Sequence, residues 1–212
     1  MPPEALGESC LLWPLGHGPS PANTRRVLDL QQRLRAAKQA GRIIFRDAVP
    51  AYDSLAVHFD PLTTDRATLT SAVDALLSDA PPAADATDQG PLITLPTVYD
   101  GPDLQRVADH TRLAAADVAQ RHTAPVYTVA AIGFLPHFPY LLGLDPTLAT
   151  PRRASPRPRV PAGSVAIGGD QTGVYPQESP GGWHLIGTTD PAQLVTLKPG
   201  DRVRFEPVEP LP

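Results

Sequence analysis

The 212-residue chain is poor in the residues that most often announce chemistry. It has one cysteine, one methionine and only 6% aromatic residues. A single thiol forms no internal disulfide and supplies no zinc site by itself. Cys10 moreover lies in the apolar run SCLLW, the setting of a buried thiol rather than a nucleophile. No apolar stretch approaches the ~20 residues of a membrane span, and the N-terminus lacks a charged start followed by an apolar signal core. The expectation is a cytoplasmic protein. Charge is sparse and nearly balanced, with 18 Lys and Arg against 22 Asp and Glu and a net charge of −4. Nothing therefore draws the chain as a whole to nucleic acid or to a membrane surface. Neither G-x-x-x-x-G-K-[ST] nor G-x-G-x-x-G occurs, and the G-x-S-x-G elbow is missing. The six histidines have no metal-ligand spacing. His110 and His122 sit on separate short helices, and a single histidine beside apolar helix positions is more often satisfied by packing than catalytic.

What the chain does have is proline (27) and glycine (16). Proline fixes φ and glycine permits φ > 0, so a chain alternating them is bent into defined loops between short strands. In order, SCLLW reads as a strand, and Ser20-Pro21 as the cap and first position of a helix carrying Val27, Leu30, Leu34 and Ala37 on one face. Gly41 ends it. Residues 42–49 and 54–59 read as a hairpin. A second helix over 64–78 presents Leu69, Val73, Leu76 and Leu77, and PLITLPTVY (91–99) follows as a strand. The pattern β-α-β-β-α-β predicts a ferredoxin-like domain over 1–90. Two short helices follow in the second domain, 91–212, and then many short strands between Gly/Pro turns predict a closed or partly closed β-barrel. The fold class is α+β.

The densest stretch is Gly133–Thr189. Four arginines, Arg152, Arg153, Arg157 and Arg159, stand among prolines that leave little ordering entropy to lose on binding, which suits carboxylate or phosphate recognition. Gln171 and Thr172 can read the C=O and N–H of an amide. Phe134, Pro136, His137, Phe138, Tyr140, Tyr175, Ser179, Gly181, Gly182 and Trp183 are the expected pocket walls, Trp183 being foremost a core anchor. No nucleophile stands beside a histidine and an acid, and no pair of carboxylates stands out. The chain alone shows no complete catalytic set, which points to a site finished by another subunit.

Several of these residues fall in a run of unusual positions: Gly133-Phe134, Pro136, Phe138-Pro139-Tyr140-Leu141, Gly143-Leu144-Asp145, Thr150-Pro151-Arg152 and Val160-Pro161-Ala162-Gly163-Ser164-Val165. The run continues through Gln171-Thr172-Gly173, Tyr175-Pro176, Ser179-Pro180-Gly181-Gly182-Trp183 and Leu185-Ile186-Gly187, with weaker likeness at Pro50-Ala51-Tyr52 and Phe59-Asp60-Pro61. In these residues the chain resembles the KipI-like, or allophanate hydrolase subunit one, family, which includes one of the subunits of prokaryotic 5-oxoprolinase. The resemblance implies a cyclophilin-like barrel and a part in ATP-dependent opening of the 5-oxoproline lactam to glutamate, with ATP as co-substrate. It implies two partners, a sister subunit of the allophanate hydrolase subunit two type and a LamB/YcsF-family subunit. Arg152, Arg153, Arg159, Gln171 and Thr172 are then the expected substrate- or phosphate-binding residues. Two other readings go with the same family: an inhibitor of a sensor histidine kinase, and half of a urea carboxylase-type carboxyltransferase module. The chain departs from the family pattern at His137, where relatives usually carry glycine, at Thr188, where they often carry arginine, and in a shortened stretch after Thr189.

Overall fold

The computed structural model describes residues 2–79 and 90–209. The chain divides into two compact units, 1–89 and 90–212.

The first unit contains β1 (Glu4–Ala5), β2 (Cys10–Pro14), α1 (Pro21–Gln39), β3 (Asp47–Ala51), β4 (Ser54–His58) and α2 (Arg66–Ser78). Ser20 caps α1 by accepting from the Asn23 N–H at 3.1 Å, with Pro21 preset for the first turn. Val27, Leu30, Leu34 and Ala37 form its buried face, as their spacing predicts. Gly41, at φ +68°, then turns the chain out of the helix where a side chain would be strained. Asp65 caps α2. Both helices share one core with Trp13, Leu55 and Val57 from the sheet and with Phe59 just beyond β4. The free cysteine, Cys10, is buried, and burial pushes its thiol up.

The sheet order is β1-β2-β4-β3, antiparallel throughout. Three strands and α1 thus follow the split βαβ order. The expected six-element ferredoxin-like domain is nevertheless incomplete, because the strand at 91–99 belongs to the second unit and the two-residue β1 borders β2 instead. Alternating apolar residues reveal a strand but not the sheet it joins. The predicted strand over 42–49 also starts only at Asp47; residues 42–46 bury Ile43 and Phe45, and the Arg46 N–H reaches β4, donating to the His58 carbonyl at 2.6 Å.

The second unit holds β5 (Leu92–Val98), α3 (Leu104–Thr111), α4 (Ala115–Thr123), β6 (Tyr127–Ile132), β7 (Pro139–Leu142), β8 (Arg157–Val160), β9 (Ser164–Gly168), β10 (Gln171–Val174), β11 (Ser179–Gly181), β12 (His184–Thr189) and β13 (Arg202–Pro207). Seven strands close a barrel in the order β10-β7-β6-β13-β5-β12-β9, while β8 and β11 pair as a separate ribbon. Among the described residues only β5 and β13 run parallel within the barrel. Its interior is packed: Leu95, Val129, Leu141, Ile167, Ile186 and Phe205 meet Val107 of α3 and Val118 of α4.

Val118 and His122, one turn apart, face the same way, so α4 carries a histidine into this core. The imidazole touches the Phe205, Tyr127 and Tyr99 rings at centroid distances of 4.5, 5.5 and 5.7 Å. Its proton can be placed by elimination. Thr172 donates its hydroxyl to the Ala166 carbonyl at 2.9 Å, so its oxygen must accept from His122 Nε2 at 2.8 Å. Nδ1 then accepts from the Tyr99 hydroxyl at 2.7 Å. Burial pushes the Tyr99 hydroxyl up and so keeps it protonated. The His122 carbonyl takes the Tyr127 hydroxyl at 2.7 Å. His122 is a satisfied core histidine, and every polar group in the string has its partner.

Burial also pushes the His122 pKa down to about 3. Between that value and the ordinary ~6.5 the unfolded chain binds one proton more than the native one. The stability due to neutral His122 is complete above pH ~6.5 and is lost as pH falls. In urea denaturation from pH 6 to pH 4, the wild type should lose about 1.4 kcal/mol per pH unit more than a His122→Gln variant. Parallel pH curves for the two proteins would overturn this placement of the proton.

Candidate functional site

The arginine-rich loop is organised by a carboxylate that lies far from it in sequence. Asp103 occupies the N-cap position of α3 but makes no capping bond. Its buried side chain turns toward residues 153–157, where Arg157 binds it in two-pronged fashion, Nη1 to Oδ2 at 2.7 Å and Nη2 to Oδ1 at 2.8 Å. Arg153 Nη1 adds a bond to Oδ1 at 3.2 Å, and the Leu185 N–H one to Oδ2 at 2.8 Å. The Asp103 N–H in turn donates to the Leu185 carbonyl at 2.9 Å. Burial pushes the Asp103 carboxyl up, but the Arg157 bond, the Leu185 N–H and both guanidinium charges outweigh it and hold the group below the usual carboxylate range. One residue thereby ties α3, β12 and the arginine loop together, and its single charge offsets one of the two positive charges of Arg153 and Arg157.

The other two arginines differ. Arg159 pairs with Glu178 at 3.0 Å, but its side chain is 80% exposed, so that pair is weak and exchangeable. Arg152 is exposed and packs over the Trp183 ring, 5.6 Å from its centroid, and no carboxylate among the described residues lies within salt-bridge distance of it. The ring itself lies against Gly168, where a Cβ would come within 2.5 Å of it.

The aromatic residues form an edge-to-face cluster around buried Phe138, with ring centroids of Tyr140, Tyr175, Phe134 and Trp183 at 5.0, 5.1, 5.6 and 5.6 Å. Phe138, Tyr175 and Trp183 are core; Tyr140 is half-buried and Phe134 is 60% exposed. The loop between β6 and β7 carries two non-glycine residues in the left-handed region, Phe134 at φ +66° and His137 at φ +67°. The second explains why a glycine suits that position. Pro136 and His137 are exposed on the same loop.

These residues do not make one pocket. One concavity of this unit, about 330 Å³, lies beside β8. Asp100, Gly101 and Pro102 form one wall, Leu185, Gly187 and Thr188 of β12 another, and Arg157, Arg159, Pro161 and Ser164 the third. Of the expected substrate-binding residues only Arg159 lines it. Thr172 faces the barrel interior with its hydroxyl committed to His122 and Ala166, because β10 alternates and the Gln-Thr-Gly motif sends its middle side chain inward. Gln171 is half-buried at the start of β10. Ser179 is buried on the ribbon, Gly181 backs against the Tyr175 hydroxyl, and the Gly182 carbonyl accepts from the Arg153 N–H at 2.8 Å. The aromatic residues lie outside the concavity's lining.

The sequence reading missed Asp100 and Asp103, neither of which it singled out for a site. Thr188 accompanies them: its hydroxyl reaches Asp100 Oδ1 at 3.3 Å. Ser164 donates to the Pro161 carbonyl at 2.8 Å and has no histidine beside it in this geometry, so it is not an activated nucleophile. His184 Nε2 donates to the Pro151 carbonyl at 2.9 Å, which leaves Nδ1 buried without a partner, as is Arg153 Nε.

Residues 2–195 match the family described as carboxyltransferase domain, subdomain C and D. The 5-oxoprolinase B-type component of Bacillus subtilis (strain 168) is 37% identical over 179 residues, covering 76% of this chain and 75% of that protein. The component of the same name in Escherichia coli O157:H7 is 53% identical over 125 residues, 54% of this chain and 57% of that protein, so the match spans little more than half of it. The crystal structure of the K. lactis urea amidolyase superposes with a TM-score of 0.81 over 98% of this chain and 15% of that one, at 20% identity, a likeness of fold.

Replacing Asp103 by Asn should cost about 3 kcal/mol of unfolding free energy at pH 7, since two guanidinium groups lose a buried counter-charge. The stability due to the carboxylate is present above pH ~4 and is lost as pH falls through its depressed folded value, so the gap should narrow in acid. An Asp103→Asn variant as stable as wild type in urea at pH 7 would refute the anchoring role. His137→Gly should raise stability by about 1 kcal/mol through relief of the left-handed backbone, read as a higher thermal midpoint.

Proposed function

Since the chain belongs to the carboxyltransferase subdomain C and D family, together with these 5-oxoprolinase components, we propose that it is a subunit of an ATP-dependent 5-oxoprolinase. The observation that carries this reading is the Bacillus subtilis match, which spans three quarters of both chains. In this proposal the closed seven-strand barrel is of the cyclophilin-like kind, and the complex works in the cytoplasm. Its other members are a sister subunit of the allophanate hydrolase subunit two type and a LamB/YcsF-family subunit.

A lactam is a poor electrophile. ATP would supply the activation by passing its terminal phosphoryl group to the amide oxygen with release of ADP. Water would then add to the ring carbon, the C–N bond would open with the ring nitrogen taking up a proton, and a second water would displace the C–O–P oxygen as phosphate to give glutamate. That sequence needs cations against phosphate charge and donors toward the amide oxygen. Among this chain's four loop arginines, Arg152 and Arg159 are the two not consumed by a buried carboxylate, so they are the ones assigned to anions. Arg153 and Arg157 act as struts through Asp103. Among the described residues no nucleophile, base and orienting acid converge on the concavity, so the proton-transfer groups are assigned to partner subunits.

The test is reconstitution with the two expected partners, 5-oxoproline and ATP, following glutamate release. Activity should require this chain and should fall at least about tenfold with Arg152→Ala. Ring opening that is unaffected by omitting the chain would reject the proposal, leaving kinase inhibition or a urea-directed carboxyltransferase as the alternatives to pursue.

A further inference from the structure

We infer that the concavity between Asp100 and Arg159 binds a small cyclic carboxylate amide, the lactam itself, on this chain alone; the inference rests on the oxoprolinase reading for the choice of ligand. Three observations carry it. The walls come entirely from this unit, so no partner is needed to form them. Their volume, about 330 Å³, is at the small end of the range of ligand pockets, which suits a five-membered ring and leaves no room to enclose a nucleotide. The polar groups are spaced by apolar ones: Pro102, Pro161 and Leu185 lie among the lining, with Asp100, Thr188 and Arg159 offering an acceptor, a hydroxyl and a guanidinium.

The chemistry of these three groups selects an orientation. A carboxylate at Asp100 repels a ligand carboxylate and accepts an N–H. The Thr188 hydroxyl is held only by a 3.3 Å bond to Asp100 and can turn to donate to a carbonyl. The Arg159–Glu178 pair is exposed, so a ligand carboxylate can take Glu178's place. N–H, C=O and COO⁻ on one small ring match this acceptor, hydroxyl and cation. The ribbon strand β8, which bears Arg159, is braced through Arg157 on Asp103, so the backbone that carries the Arg159 side chain is held in place.

Titrating the full-length chain, without partners or ATP, with 5-oxoproline should give saturable binding at about millimolar Kd, with the largest ¹H–¹⁵N shifts at Gly101, Gly187 and Thr188. 2-Pyrrolidinone, which lacks the carboxylate, and cyclopentanecarboxylate, which lacks the amide, should each bind at least about tenfold more weakly. Arg159→Ala and Asp100→Asn, both at exposed positions and expected to keep the wild-type melting curve, should weaken 5-oxoproline to a similar degree. Absence of binding, shifts confined to Phe134 and Trp183, or equal binding by all three compounds would overturn the inference. The two proposals fail separately. Specific lactam binding here with no ring opening in the reconstituted complex would sink the oxoprolinase reading and leave the site. Turnover whose KM for 5-oxoproline is unchanged by both variants would sink the site and leave that reading.

Discussion

The loop chemistry of this protein depends on one buried carboxylate. Asp103 is enclosed where a lone charge would cost several kcal/mol, and it is tolerated because two guanidinium groups and a backbone N–H close around it. That bond set holds a proline-rich loop to a barrel strand and to the start of a helix. It also divides the arginines by role. A guanidinium that has given both Nη groups to a buried acid has little left for a ligand, whereas one in an exposed pair or over an indole keeps its donors. Four arginines within eight positions therefore do different work, which their spacing alone does not reveal.

The barrel interior solves a related problem by the opposite route. Instead of pairing charges, it excludes them: Tyr99, His122, Thr172 and the Ala166 carbonyl form a neutral string in which each donor has one acceptor. Such a string rigidifies a core when complete and is costly when broken. It fixes the helix α4 against β9, β10 and the residue that follows β5, and sets the direction of the Gln-Thr-Gly hairpin, whose middle residue serves the inside of the barrel.

Much of the architecture was legible from residue patterns. The apolar face of α1, the Ser20-Pro21 start, the Gly41 stop and a barrel built from short strands all follow from periodicity and turn chemistry, which act over a few residues. What escaped was long-range. Whether Leu92–Val98 continues the first sheet or joins the barrel is decided by partners more than eighty positions away. The pairing of Asp103 with Arg153 and Arg157 spans about fifty positions and leaves no periodic trace. The site suffered most: Arg159 was foreseen, but Asp100 was not singled out, and Thr172 was assigned by motif chemistry when strand alternation already turns it inward.

The parallel seam of the barrel has a consequence for how the protein is made. Leu92 lies beside Arg202, and the two strands stay in register to Thr97 and Pro207. A nascent chain emerging from the ribosome thus produces one side of the seam early and waits for the other until nearly the whole unit has been synthesised. Throughout that interval β5 has an open edge and apolar residues without cover, so this unit is exposed to mispairing until its final strand arrives.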